Sequence, residues 1–251
     1  MFGSTFMTDT APDLIPADKE KGTEGQTYTK VWQLTAPDQA RGINQPYTAT
    51  LKLSYDYKTS AQKLITLVDE AELRRIRDAG ESLSMTNAVY SAGPLTVAVT
   101  SAPYEKTAAQ HFGYDNIFPV QIKITNTGGG VVVPAGVGGE LYGGYYSSSY
   151  FGDAVNYPVG IKVTPPSGTS FVSTGGFGGN ADCSSGTVTR DMWKGQDVDV
   201  TCLLSVNNAP AYKEDRPLTV EVFYRYETEA STPINVYGRD SGYGGFGGYQ
   251  W

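Results

Sequence analysis

Short segments in which apolar and polar residues alternate recur along most of the chain, and this period of two limits the fold more than any other feature. Between Tyr47 and Tyr57, for instance, Leu51, Leu53 and Tyr55 share one face of an extended strand. Turn residues separate the segments, a spacing typical of sandwiches and barrels. The sequence therefore predicts an all-β fold. Its strands are predicted at Tyr28–Leu34, Tyr47–Tyr57, Leu64–Val68, Leu95–Thr100, Phe118–Thr125, Val159–Thr164, Val198–Val206, Leu218–Tyr226 and Ile234–Tyr237.

One short helix is predicted after the third of these strands. Asp69 precedes Glu72 by three residues, which is the spacing of a capping box at a helix start. Leu73 and Ile76 fall on one helical face, and Gly80 provides a stop. Because the remaining positions are mostly charged, we expect a connector helix with a solvated face.

The negative net charge of the chain argues against some classes of binding partner. The formal net charge of the 251 residues is -7, whereas nucleic acids and anionic membrane surfaces favour basic proteins. No apolar run approaches the roughly 18 residues that a membrane span needs. We therefore predict neither nucleic-acid binding nor a membrane-spanning segment.

One sequence pattern occurs twice without a gap. Leu51–Ala61 (LKLSYDYKTSA) and Val220–Ala230 (VEVFYRYETEA) share Tyr-x-Tyr-x-Thr-x-Ala in an alternating strand. The pattern indicates a duplicated three-strand unit. Convergent strand composition is the alternative.

The repeat leads to a prediction of the domain organisation. Residues 1–26 form an N-terminal extension and possible donor strand, and residues 27–92 form a partial immunoglobulin-like unit with the connector helix. Residues 93–240 form an immunoglobulin-like sandwich, and residues 241–251 a Gly and aromatic tail. The incomplete first unit would leave an apolar face that needs a cover. The second unit, the N-terminal segment Phe2–Met7 or another chain could supply it.

The order of motifs in the second half resembles a family of proteins. Phe118–Gly130 (FPVQIKITNTGGG), a Gly, Tyr and Ser-rich loop, Cys183, Cys202 and Leu218–Tyr226 follow one another. This order is similar to that of archaeal extracellular surface proteins with tandem immunoglobulin-like domains. The resemblance covers roughly residues 27–240 and implies an extracellular location and no catalytic activity.

Residues for catalysis and for metal binding are sparse. His111 is the only histidine, and no Gly-x-Ser-x-Gly motif accompanies it. Asp197 and Asp199 share a strand face and could offer oxygen atoms to calcium, but no EF-hand spacing surrounds them. We predict no enzyme activity, no catalytic residue, no cofactor and no metal ion.

The two cysteines are predicted to form a disulfide. Cys183 follows a Gly-rich loop and Cys202 lies within a predicted strand, so a bridge could join neighbouring strands. Two free buried thiols are the alternative. A bridge would favour an oxidising, extracellular compartment.

Aromatic side chains concentrate in segments rich in glycine, at both ends and in Gly138–Tyr150. Such segments suit adaptable contact surfaces, and a disordered linker or tail is the alternative. The residues predicted to mediate assembly are Phe2, Phe6, Tyr145, Tyr146, Tyr243, Phe246, Tyr249 and Trp251. A segment such as Met1–Met7 would act as a donated strand.

These observations favour a structural subunit of an extracellular filament or surface assembly, a homopolymer whose subunits exchange β-strands. The first alternative is an adhesion module of a longer anchored protein, with other surface proteins or glycans as partners. The second is a virion structural protein.

Overall fold

The computed structural model describes residues 7–15, 22–37, 42–83, 86–101, 104–105, 117–134, 157–172, 183, 185–208 and 210–238. These residues fall into two compact units. The first combines residues 1–49 with residues 233–251, and the second is residues 50–232.

Eleven strands and one helix are present in the described residues. The strands are β1 (Asn44–Val68), β2 (Val89–Tyr90), β3 (Leu95–Thr100), β4 (Tyr104–Glu105), β5 (Ile117–Asn126), β6 (Val131–Val133), β7 (Pro158–Thr164), β8 (Thr169–Phe171), β9 (Thr187–Asp191), β10 (Asp197–Val206) and β11 (Lys213–Tyr237). The helix, α1, is Glu70–Asp78.

The strands form two sheets. The larger has the order β2-β1-β11-β7-β9, with β4 parallel to β1 and β6 antiparallel to β11. The smaller has the order β3-β5-β10-β8, and all of its pairs are antiparallel. The prediction of an all-β fold is confirmed.

The core lies between these two sheets, which is the arrangement of a β-sandwich. Alternate residues of β3, β5 and β10 from the smaller sheet meet alternate residues of β1, β7 and β11 from the larger. Ile122, Ile124 and Leu204 are fully buried on one side, as are Ile65, Ile161 and Leu218 on the other. The period of two in the sequence is thus the signature of one face turned to a shared core.

The two longest strands of the larger sheet are β1 and β11, which come first and last in the chain. β1 and β11 are neighbours, and each has 25 residues. Thr66 of β1 contacts Asp215 of β11, and Ser54 of β1 contacts Glu227 of β11, so residue numbers fall along one strand as they rise along the other. The two strands are therefore antiparallel.

The duplicated sequence has an unexpected place in this pair. Asp56 lies against Arg225, and in that register Leu51 is opposite Ala230 and Ala61 is opposite Val220. The two copies of the pattern therefore face each other over their full length, related by a local two-fold axis near Asp56 and Arg225. They form one two-stranded ribbon, not the closing parts of two separate units.

Eight of the nine predicted strands correspond to observed strands. Six of them each lie in a different strand, namely β1, β3, β5, β7, β10 and β11. The other two, Leu64–Val68 and Ile234–Tyr237, are further parts of β1 and β11. The prediction of a strand at Tyr28–Leu34 is wrong. That segment is not paired with any strand among the described residues, and Val31 is 79% exposed.

The helix prediction is confirmed at both ends. The Asp69 side chain caps α1 by accepting a hydrogen bond from the Ala71 amide, and Gly80 follows the helix with a positive φ of 72°. Leu73 and Ile76 are buried, as their spacing indicates.

The predicted first unit, residues 27–92, does not stand apart in the structure. Ala61, Ile65 and Leu67 belong to the same core as the strands of the predicted second unit. In the compact unit of residues 1–49 and 233–251, the described contacts are mostly polar. Lys30 pairs with Asp9 at 2.6 Å and lowers the pKa of that carboxyl group.

Candidate assembly surface

Four tyrosines lie where the two copies of the repeat face each other. Tyr55 is 6.0 Å from Tyr226 and Tyr57 is 5.9 Å from Tyr224, measured between ring centroids. Along each strand the neighbouring rings meet edge to face at 6.2 and 6.3 Å. These are favourable aromatic distances, so the four rings form one packed cluster on the inner face of β1 and β11.

Three hydroxyl groups of this cluster have hydrogen-bond partners. Tyr224 shares a 2.8 Å hydrogen bond with the Thr59 hydroxyl. Tyr226 donates to the Asn126 side-chain oxygen at 2.9 Å and accepts from the Gly130 amide at 2.9 Å. Tyr57 donates to the carbonyl of Ala92 at 3.0 Å. The cluster is therefore fixed in place and is part of the fold's framework.

The turn Asn126-Thr-Gly128-Gly-Gly130 is shaped by this contact. Asn126 also donates to the carbonyls of Gly130 and Gly195 and accepts from the Gly128 amide. A side chain at Gly128 would collide with the Tyr226 hydroxyl, and one at Gly130 with the Glu227 carbonyl. The glycines are needed for close backbone approach.

Two leucines continue the same face of β1 past the tyrosines. Leu51 is 51% exposed and Leu53 is 53% exposed, although Tyr55 and Tyr57 beside them are only partly exposed. Their neighbours across the pair, Thr228 and Ala230, are too small to cover them. The inner face of the ribbon therefore passes from buried core to an exposed apolar surface.

The outer face of the same strands carries alternating charges. Asp56 accepts two hydrogen bonds from Arg225 at 2.8 and 2.9 Å, which lowers the pKa of its carboxyl group. Lys52 lies 3.4 Å from Glu227, and Lys58 lies 3.1 Å from Glu221. These exposed pairs add little stability individually, but they fix the outer face as a polar one.

Part of one edge of β1 has no strand beside it among the described residues. β2 joins that edge at Ala61 and Gln62, and Ser91 binds the backbone of Ser60. From residue 50 to residue 58, β1 is hydrogen-bonded to a strand only on the β11 side among the described residues. Unpaired edges of this kind are templates for pairing with another chain.

A second surface feature lies at the turn between β9 and β10. Lys194 and Gly195 both have positive φ, 50° and 70°, and Gln196 donates to the carbonyl of Trp193, which is a type I′ turn. Trp193 is 70% exposed, and the Lys194 ammonium group lies 5.5 Å from its ring. A cleft of about 470 Å3 next to this turn is lined by Tyr157, Asp191, Met192, Trp193, Lys194, Asp197, Val198 and Asp199.

The predicted disulfide is confirmed. Cys183 and Cys202 are bonded with Cα atoms 5.1 Å apart, and both are buried. Cys183 leads into β9 of the larger sheet, whereas Cys202 lies in β10 of the smaller sheet. The bridge thus ties the two sheets together across the core.

The eight residues predicted to mediate assembly all lie outside the described residues, as do His111 and the segment Gly138–Tyr150. Those predictions therefore stay predictions. The surface that the structure does describe was anticipated from the sequence only in part, as an apolar face in need of a cover. Its signal was present in the repeat, because two matching strands can pair as well as stand in tandem.

Comparison with protein-family models, curated proteins and solved structures finds no match. The geometry alone defines the class of protein, which is an all-β sandwich with an intersheet disulfide. No helix among the described residues has the length and apolar character to cross a bilayer, and the same residues contain no cluster of three metal-ligating side chains.

Proposed function

We propose that this protein is a structural subunit of an extracellular filament or surface assembly, and that its subunits join by pairing β-strands. The single observation that carries the proposal is the β1 strand between residues 50 and 58. It combines an open edge with exposed leucines on its inner face. An added strand would satisfy the backbone of the edge and cover the leucines together.

The energetics favour covering this surface. Burying a fully exposed leucine side chain contributes roughly 1.5–3 kcal/mol, and because Leu51 and Leu53 are each about half exposed, the two together offer about 1.5–3 kcal/mol to a neighbour. The disulfide supports an extracellular location, because such bonds persist in oxidising compartments. We include in this proposal that the sandwich is immunoglobulin-like and that the chain is related to the archaeal extracellular surface proteins it resembles.

Assembly is expected to depend on the two leucines. The L51S/L53S variant should remove most of the apolar contact area and lower the assembled fraction of the purified chain. Light scattering and negative-stain microscopy measure that fraction. Tyr212, which is 74% exposed elsewhere, provides the matched control, and Y212S should assemble as the unchanged protein does. Equal assembly of L51S/L53S and the unchanged protein would contradict the proposal.

The donor of the added strand can be sought in the same assay. Removing residues 1–10, and separately residues 241–251, tests the terminal segments. If neither deletion changes assembly, a terminal donor is excluded and the contact is made by the body of the subunit.

The exposed Trp193 favours a second candidate function, that of an adhesion module that binds glycans. An indole face can stack on a sugar ring, and Asp191 and Asp199 beside the cleft can accept hydrogen bonds from hydroxyl groups.

W193A is expected to weaken binding to polysaccharides at least about tenfold, since a stacked aromatic anchor often dominates a small interface. Co-sedimentation with cellulose and with chitin measures it, and Y212A is the control for a lost exposed ring. Unchanged sedimentation of W193A, or no sedimentation of the unchanged protein, rejects this function.

A further inference from the structure

The open edge of β1 is complementary to itself. Lys52 lies two residues before Ser54 and Asp56 two residues after it, and all three side chains are exposed on the outer face. Residues directly opposite each other in an antiparallel pair point to the same side of the sheet. When Ser54 lies opposite Ser54 of a second copy, Lys52 of each copy is opposite Asp56 of the other.

In the same register, the side chains on the inner faces of the two β1 strands are also complementary. Leu53 then lies opposite Tyr55 of the second copy, and Leu51 opposite Tyr57. Aromatic and aliphatic side chains in directly opposite positions are favourable cross-strand pairs. The two half-exposed leucines therefore gain neighbours on the side that β11 does not cover.

Registers centred further along β1 are disfavoured by charge or by space. Centring the pair on Tyr55 places Lys52 opposite Lys58, and centring it on Asp56 places two carboxylates together. Centring it on Tyr57 would match Asp56 with Lys58, but that register needs the edge of Ser60, which Ser91 already occupies.

We propose that β1 pairs antiparallel with β1 of a second copy of this chain, centred on Ser54, so that the larger sheets of two subunits join across a two-fold axis. The inference deepens the proposed function and rests on it, because it names one strand contact by which subunits associate. The pairing uses residues 50–58, the part of the edge with no strand beside it in the described residues.

Cysteine cross-linking tests the register. Directly opposite residues have Cβ atoms about 4.5–5.5 Å apart, so S54C should form an intersubunit disulfide under mild oxidation. K52C alone should not, because the two Lys52 positions are offset by about 13 Å along the strands. A mixture of K52C and D56C should cross-link K52C chains to D56C chains. The products are identified by mass spectrometry of the full-length protein.

Charge exchange gives an independent readout. K52E places Glu opposite Asp56 twice, and D56K places Lys opposite Lys52 twice. Each variant is expected to self-associate about tenfold more weakly, since two favourable cross-strand pairs become repulsive. Mixing the two variants should restore association, because every opposite pair is then of unlike charge. Analytical ultracentrifugation measures all three samples, and thermal melting of each variant checks that it remains folded.

The outcomes separate this inference from the proposed function. Assembly without an S54C cross-link overturns the β1 contact and leaves the structural role standing. An S54C dimer that forms no larger assembly supports the β1 contact and overturns the filament. Failure of the mixed charge variants to associate, with both folded, also overturns the proposed register.

Discussion

Reduction of the Cys183–Cys202 disulfide is expected to lower the free energy of unfolding by about 3 kcal/mol. The bridge closes a loop with a sequence separation of 19, and that separation sets the size of the entropic effect in the denatured chain. Domains are stable by only about 5–15 kcal/mol in total, so the loss is a large share.

The position of the bridge adds to this effect. It joins the segment before β9 to the middle of β10, and these strands belong to different sheets. Both sulfur atoms are buried in the shared core, where Cys202 is fully enclosed. Separation of the sheets therefore requires that the bridge be broken or that its enclosing strands unfold.

Urea unfolding followed by circular dichroism measures the change, with and without a phosphine reductant. The free energy of unfolding of the C183A/C202A variant should be close to that of the reduced protein, and lower only by the cost of the volume lost with the two sulfur atoms. Reductant should not change the stability of this variant. Alkylation of the folded protein should require prior reduction. Equal stability of the oxidised and reduced forms would show that the bridge does not stabilise the sandwich.

The strands of the sandwich could be predicted because one face of each meets the core. Val120, Ile122 and Ile124 in β5 alternate with the exposed Gln121 and Lys123, and that contrast is visible within the single strand. The alternation does not specify a partner. Strand pairing depends on residues far apart in the chain, so the alternation could not predict that β1 and β11 are adjacent in the sheet.

The continuity of β1 was hidden by polar residues that face the core. Thr59 and Lys63 are buried, which breaks the apolar pattern between Tyr57 and Leu64. The Thr59 hydroxyl bonds to Tyr224, and the Lys63 ammonium donates to the Thr86 carbonyl at 2.7 Å. Burial lowers the pKa of Lys63. Because these partners lie in distant segments, hydrophobicity alone predicted two strands where there is one.

The candidate surface was only half predictable. The sequence predicts an apolar face in need of a cover that includes Leu51, Leu53 and Ile65; the two leucines are about half exposed, whereas Ile65 is buried in the core. The open edge beside them depends on where β2 ends and on the contact of Ser91 with Ser60. Neither feature has a signature within β1 itself. The segment Tyr28–Leu34 shows the converse, because it has the sequence pattern of a strand but pairs with no strand in the part of the chain that the structure describes.

The tyrosine cluster predicts a loss of stability at high pH. Burial raises the pKa of Tyr224 to about 12, whereas an unfolded tyrosine ionises near 10. Its neutral hydroxyl is enclosed with Thr59, and the ring of Tyr57 lies beside it. Burial also raises the pKa of Tyr55. The folded state therefore holds its phenolic protons more tightly than the unfolded state does.

The sign of the effect follows from proton linkage. The contribution of Tyr224 to stability is fully present below pH 10 and is lost as the pH rises through its folded pKa of about 12. Between pH 9 and pH 11 this group alone should lower the free energy of unfolding by about 1.4 kcal/mol, and the loss should exceed about 2 kcal/mol by pH 12.

Urea unfolding of the unchanged protein and of Y224F across this pH range isolates the effect. Y224F should be less stable near neutral pH by about 1–2 kcal/mol, because it leaves the Thr59 hydroxyl buried without its partner. It should also lack the part of the alkaline slope that Tyr224 causes, while lysine deprotonation affects both proteins alike. The matched control is T59V/Y224F, which removes both hydroxyls and should recover stability at neutral pH without restoring the slope. If the alkaline slopes of the unchanged protein and Y224F are the same, Tyr224 does not carry the raised pKa, and the enclosed hydroxyl is not what makes the sandwich sensitive to base.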